Sequence, residues 1–468
     1  MLNRIVVVVF GIGTLLTTDA AWAAPAVQPE AVSAVTFNKD VLPILQQNCQ
    51  SCHRPGQVAP FSLLSYKEAR PWAKAMKEAV VSRRMPPWLA DPQYGHFLND
   101  RSLKQADIDK VVAWADNAAP EGNPKDAPAP IQWPAEGWSV KPDVVVNLPD
   151  FDVPAKEVLE WQTLVLPAPF KEDTWVTSME ILPSVAEVVH HICFSFVKHR
   201  PTTIYNRYQW AEIPRDALGV ATVPKQSGLP ILTRDVGSTE IKRGESRNVG
   251  GGGLDFCYLP GAVHDDYRPW NAGRLIPAGS DMVFSIHYTP NGKTAVVDRS
   301  KVGFTISNVP PENKFIVEGA GEEPPPPGTE RQEFAIPPNE GNYIAPPMDF
   351  TFLKDVDLVR LRPHMHNYGK SAQYTLTYSD GRKETILNVP RYDFNWQLSY
   401  KTSIRVPKGS KLHVQFAYDN SVNNKFALDP SKWVRYGDQS WEEMMAPNLG
   451  FVVPRDADAA SLIRADRR

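Results

Sequence analysis

Cysteine is scarce in this chain, four among 468 residues. That is too few for a disulfide-stapled scaffold of this length. Glycine is also low, 28 residues against 44 prolines. The excess of proline favours turns and short, edge-limited strands over long helices. Neither sign of charge dominates: Lys plus Arg is 50, Asp plus Glu is 53, and the net charge is −3. With no basic tail, nucleic acid is excluded as a partner. Beyond the N-terminus no stretch approaches a run of about 18 apolar residues, so no membrane span is expected once the leader is removed. There is no tandem repeat. What is present is an ordinary globular balance, 42% apolar and 22% charged. At roughly 150 residues per domain the length implies about three domains.

Residues 1–23 begin with the basic MLNR and continue into an apolar run, then Ala21-Trp22-Ala23. This pattern predicts a secretory signal cut after Ala23, with a retained N-terminal anchor as the alternative. Either way the body of the chain is expected in the periplasm or secreted, where thiols are oxidised or occupied.

Residues 34–122 read as helical. Val41, Ile44 and Leu45 recur at helical spacing, Ser65 with Glu68 makes a capping box ahead of a helix to Arg84, and Ile108, Val111, Val112 and Trp114 form one stripe. Residues 123–141 have the proline-rich composition of a linker. Beyond it the pattern changes to short β-branched and aromatic runs such as 158–166, 186–197, 282–289, 372–380 and 411–419. These predict β-sandwiches, divided into a lobe over 142–308, a proline-rich segment over 309–343, a second lobe over 344–455 and a tail over 456–468. The expected fold class is therefore multidomain: a small all-α cytochrome c domain followed by two all-β, jelly-roll-like lobes.

Cys49-Gln50-Ser51-Cys52-His53 is C-x-x-C-H. Two thiols at this spacing add to the vinyl groups of one haem, and the adjacent histidine ligates the iron. A thioredoxin-like pair, the rival reading, calls for a βαβ context that is absent here. For the sixth iron ligand Met85, held by Pro86-Pro87, is the candidate; His96 competes, and Met76 reads as core. Methionine opposite histidine raises the haem potential and suits onward electron transfer.

Five further histidines and a methionine lie in the β region: His190 and His191, His287, the H-x-H pair His364 and His366, and Met444. In a strand, residues two apart share a face, so His364 and His366 can grip one ion. Adjacent residues do not, so His190 and His191 need a bulge or a strand end to act together. Imidazole with thioether suits copper, because sulfur favours Cu(I). His199, His264 and His413 stand outside the set, as strand or loop histidines without a metal role.

The runs HHICF, IHY, RPHMHNYGK and WEEMM, in this order, resemble the copper type II, ascorbate-dependent monooxygenases, the family of peptidylglycine α-hydroxylating and dopamine β-monooxygenases. The resemblance implies two copper lobes facing each other across a solvent-filled cleft. It assigns His190, His191 and His287 to an electron-storing copper, and His364, His366 and Met444 to the catalytic copper that meets dioxygen and substrate. It matches Arg362 to a residue that holds a substrate carboxylate; Asn448 and Ala446 replace the family's Tyr and Asn, which leaves the substrate open. The N-terminal region resembles the c-type cytochrome domains fused to such lobes.

The expected activity is an oxidoreductase with one covalent haem c and two coppers, hydroxylating a C–H bond of a small organic substrate with dioxygen. Electrons would come through the haem from ascorbate or a redox protein. The alternative is an electron-transfer cytochrome whose β lobes bind copper or a partner without oxygenating anything. With Cys49 and Cys52 taken by haem, Cys193 and Cys257 are expected to form the one disulfide.

Overall fold

The computed structural model describes residues 35–156, 159, 161–201, 203–210, 254–261, 264–319, 334–436, 440–458 and 462–466. The signal-like residues 1–23, the glycine run 250–253 and the proline run 324–327 lie outside them.

A nine-stranded sheet runs through the β region. Its order is Val144–Asn147, Lys301–Ser307, Thr174–Leu182, Ala272–Ile276, Asn313–Gly319, Ala446–Pro454, Val356–His364 and Tyr400–Val406, with His264–Asp266 also paired to Thr174–Leu182. Asn313–Gly319 joins the two halves by pairing parallel to Ala272–Ile276 and antiparallel to Ala446–Pro454. A five-stranded sheet, Gln209–Trp210, Gln162–Pro167, Asp281–Tyr288, Val189–Val197 and Phe256–Tyr258, supplies Leu164, Phe194 and Phe284 to a first core. A six-stranded sheet that includes Gly369–Thr377, Lys411–Tyr418, Met348–Phe352 and Ile463–Asp466 supplies Tyr374, Leu412 and Phe350 to a second.

The joining strands serve both cores. Along Asn313–Gly319, Phe315 and Val317 enter the first core and Ile316 the second; along Ala446–Pro454, Val452 enters the first and Phe451 and Val453 the second. Successive side chains of a strand point to opposite faces, so a strand with two apolar faces is buried on both. The two cores are thus bound to one another by shared strands.

The expected fold class needs correction. Strands hold 37% of the described residues and helices 13%, and residues 35–468 make one compact unit. No separate all-α cytochrome c domain stands apart among the described residues. The region before the β strands has only short helices, Leu42–Asn48, Tyr66–Ala69, Ala73–Val81 and Gln105–Asp116. The capping box forms, with Ser65 Oγ accepting the Glu68 N–H, but the helix after it breaks into a 3-10 turn at Arg70–Trp72, where Pro71 lacks an N–H. These helices share a small core around Phe37, Leu45 and Trp114.

Residues 88–98, between the helices Ala73–Val81 and Gln105–Asp116, are not part of that core. Asp91 N–H donates to the Asn388 carbonyl (2.8 Å), and Leu98 N–H to that of Lys401 (2.8 Å). Ala90 is part of the second β core, and Trp88, Leu89 and Phe97 pack against it, with Trp88 and Phe97 5.0 and 5.2 Å from the Tyr400 ring. The stretch 88–98 therefore ties the helical segment to the sheets, while the helices keep their own small core. The proline-rich stretch after it is also docked: Arg54 lies over the Trp133 ring, and the backbone N–H groups of Ser139 and Val140 donate to buried Glu180.

Candidate metal centre

The strands Val189–Val197 and Asp281–Tyr288 pair antiparallel, with His191 opposite His287. The next pair is Val189 with Tyr288, so the register shifts and His190 is the extra residue of a bulge. The bulge turns two neighbouring histidines toward one point, which a regular strand forbids. One ring nitrogen from each of His190, His191 and His287 lies within 4.8 Å of the others. His190 Nε2 and His287 Nδ1 are buried and have no hydrogen-bond partner among the described residues. Burial pulls the His190 ring down to about 4, and holds His191 and His287 well below the usual imidazole range, with neighbouring histidines adding to the effect. All three rings are therefore neutral near pH 7, the form that binds metal.

Two residues beyond His191, Cys193 is bonded to Cys257 on the neighbouring strand. The disulfide ties the histidine-bearing strand to the edge of its sheet.

His364 ends the strand Val356–His364, where it pairs with Ala446. His364 Nδ1 donates to Gln397 Oε1 (2.6 Å), and His366 Nδ1 to the Glu442 carbonyl (3.2 Å). Each contact fixes the tautomer and leaves Nε2 as the remaining ligand atom, as such partners do for metal-ligating histidines. Gln397 itself has φ +37°, a left-handed backbone that a non-glycine residue adopts only under constraint. The turn after His366 is tight: a Cβ on Gly369 would sit 2.6 Å from the Met365 Cβ. Met444 lies two residues before the paired strand, half-buried, with its carbonyl accepting the Tyr418 hydroxyl (2.9 Å).

The two sets are neighbours. Trp161 packs against His191 (ring centroids 4.6 Å), His287 (5.7 Å) and His366 (5.1 Å). Phe394 bridges His190 (4.9 Å) and His366 (5.7 Å). His191 is 3% exposed and His366 fully buried. Trp161 and Phe394 link the two sets, so five imidazoles carried by both halves of the β region gather in one place. Trp161, Phe394 and Gln397 carry no metal-ligand signature in the sequence; only their place between the histidines marks them.

Arg362 is 5% exposed, two residues before His364. Burial first, then Arg360, lowers its guanidinium to about 9. Its neighbour Arg360 has a partner in Asp265 (2.6 Å), and Arg274 has one in Asp255 (2.5 Å). Among the described residues Arg362 has no ion pair, its Nε has no hydrogen-bond partner, and neither does the buried Tyr374 hydroxyl close by. Asn448 donates to the Arg362 carbonyl rather than facing its guanidinium.

In the helical segment Cys49, Cys52 and His53 follow the helix Leu42–Asn48 in a single turn, with the N–H groups of Cys52 and His53 donating to the Cys49 carbonyl (3.1 and 2.9 Å). Both thiols are free of disulfides, and burial pushes Cys49 up to about 12, opposite to the lowered thiol of a redox-active pair. His53 Nδ1 donates to the Phe61 carbonyl (3.2 Å), which leaves Nε2 as its remaining ligand atom. A cavity of about 310 Å³ opens beside this turn, between Arg54–Ser62 and Ser184–Glu187, the loop that leads to the bulged strand. Met85 is half-buried where the chain leaves the helix Ala73–Val81, and His96 is exposed.

No protein-family model and no curated protein matches the chain. Similar solved structures include PBCV-1 VP54 fitted into a reconstruction of the virophage Sputnik, at 6% identity over 71% of this chain and 98% of that one, TM-score 0.20. The infectious bursal disease virus Gt strain gives 9% identity over 71% and 78%, TM-score 0.14. The Sputnik virophage gives 11% identity over 70% and 87%, TM-score 0.17. Such scores carry no argument about fold or function.

Proposed function

We propose that this chain is an exported copper-dependent monooxygenase that also carries one covalently attached haem. The observation behind the reading is the convergence of His190, His191, His287, His364 and His366 from two β cores into one buried region, with the ring nitrogens His190 Nε2 and His287 Nδ1 lacking a hydrogen-bond partner among the described residues. A buried imidazole nitrogen left unpaired costs about 1–3 kcal/mol, a cost that a bound ion removes.

Bound copper would supply one-electron redox chemistry and the activation of dioxygen toward a C–H bond, and haem would supply one-electron carriage. His190, His191 and His287 would hold one ion with three nitrogens. His364, His366 and Met444 would hold the other, where thioether favours the reduced metal. The Gln397 amide oxygen and Glu442 carbonyl keep the two H-x-H rings in the ligating tautomer. Trp161 and Phe394 exclude water between the sets. Arg362, a buried cation without a carboxylate, suits a small organic substrate bearing an acid group. Cys49 and Cys52 would hold the haem through thioether bonds, with His53 as an axial ligand and Met85 as the candidate for the other face.

The test is metal analysis and oxygen uptake on haem-loaded protein with a reductant, either ascorbate or a reduced redox protein. Two coppers per chain and substrate-dependent uptake support the reading. Two coppers without any uptake favour an electron carrier, and copper near zero ends the metal reading altogether.

A further inference from the structure

Glu443 is a fully buried carboxylate. It lies where the strands Val356–His364 and Ala446–Pro454 stop pairing. The last pair is His364 with Ala446. Continued by two residues on each side, the same register would set His366 opposite Met444. There the ladder ends, and Glu443 takes its place. The backbone N–H groups of His366 and Met444 (2.8 Å for the latter) both donate to its Oε1, and the Tyr368 N–H donates to Oε2 (3.0 Å). Glu443 is in turn fixed through its own N–H, which donates to the Arg435 carbonyl (3.0 Å).

One carboxyl oxygen thus links the backbones of two residues that lie just beyond the ends of two paired strands. In a buried site, away from competing water, hydrogen bonds of this kind are stronger than on the surface. We propose that Glu443 is a positioning residue, whose carboxylate holds the backbones of His366 and Met444 at the spacing that lets imidazole and thioether reach one ion. The inference rests on the reading of His364, His366 and Met444 as a ligand set. It adds a residue that touches no metal and acts through the ligands.

The experiment uses the full chain, copper-loaded and reduced, in wild-type, Glu443→Gln and Glu443→Asp forms. Copper per chain is measured together with copper–sulfur scattering in the X-ray absorption spectrum, a signature that a purely structural acid would not move. Glutamine keeps the shape but turns one acceptor into a donor facing the Tyr368 N–H or the His366 and Met444 N–H groups. Outer-shell substitutions of this kind typically weaken metal binding about 10–100-fold. The expected result is loss of the copper–sulfur signal and of about one copper at limiting metal, while copper held by His190, His191 and His287 remains. Aspartate keeps the carboxyl but is one methylene short, and decides the matter if the glutamine variant does not fold: partial retention of sulfur scattering supports the positioning role. Either folded variant with a lowered melting temperature but unchanged copper and sulfur scattering overturns it, leaving Glu443 as a structural brace. Wild-type protein that lacks copper–sulfur scattering overturns the proposal together with the ligand set beneath it.

Discussion

His191 lies directly across the sheet from His287, and the pairing then skips His190 to join Val189 with Tyr288. The bulge is the device that brings three imidazoles to one point. His190→Ala removes one of the three nitrogens and leaves the strand pairing intact on either side. Copper per chain should fall from two toward one, measured at limiting metal, with no more than about 1 kcal/mol lost in folding because the side chain is not a large apolar one. Copper content equal to wild type would show that His190 is not a ligand.

Trp161 touches histidines of both sets, so its emission is a local reporter. Cu(II) quenches a nearby indole, and Trp161→Phe should abolish most of the copper-dependent part of the quenching while keeping copper binding. The substitution keeps an aromatic plug and should cost about 1–2 kcal/mol of stability; truncation to alanine would cost about 3–5 kcal/mol. Quenching that survives in Trp161→Phe would place the bound ions away from this ring.

What the sequence revealed was what depends on neighbours along the chain. The Ser65–Glu68 capping box forms because its partners are three residues apart. The need for a bulge at His190 follows from strand geometry and is met. The Cys193–Cys257 bond follows from counting thiols. Residues defined by long-range contact were not legible. Trp161, Gln397 and Glu443 matter only because strands far apart in the chain bring them against His191, His364 and His366. The helical segment misled for the same reason: its apolar periodicity is real, but Trp88 and Phe97 pack on Tyr400, some 300 residues on, and no local pattern announces that.

Haem attachment and iron ligation should separate. Met85→Ala leaves Cys49 and Cys52 in place, so pyridine haemochrome should still give one haem per chain. The visible spectrum should shift toward high spin and lose its sulfur-to-iron band in the far red. An unchanged spectrum in Met85→Ala with an altered one in His96→Ala would move the ligand to the docked segment.

The apo protein should be acid-sensitive in a defined window. Burial lowers the His190 ring from 6.5 to about 4 in the folded state. A depressed folded value means that the unfolded chain binds the proton more tightly. The stabilisation from keeping this ring neutral is therefore present above about pH 6.5 and lost as pH falls toward 4, amounting to about 3 kcal/mol for this group alone. His191, His287 and His364 are shifted in the same direction and should steepen the loss. Urea midpoints between pH 7.5 and 4.5 measure it, and copper-loaded protein should resist further, since metal and proton compete for the same nitrogens. A flat profile for the apo protein would show that these rings reach water.

The two sets should also fail differently. Met444→His replaces a soft sulfur by a good copper ligand, so copper content should stay near two per chain. The reduced state loses its preferred donor, so the copper potential should fall and turnover with any accepted substrate should drop at least tenfold. The backbone N–H of residue 444 still donates to Glu443, so folding should be little changed. His287→Ala, in contrast, removes a nitrogen of the other set and should lower copper content while the copper–sulfur signal from Met444 persists. The haem should stay reducible in both variants, because Cys49, Cys52 and His53 lie in a turn that neither substitution touches. Copper content, sulfur scattering and turnover measured together separate the cases. Full activity in Met444→His would make Met444 a packing residue just before the strand Ala446–Pro454, and the carrier reading would then account for the copper better than the oxygenase.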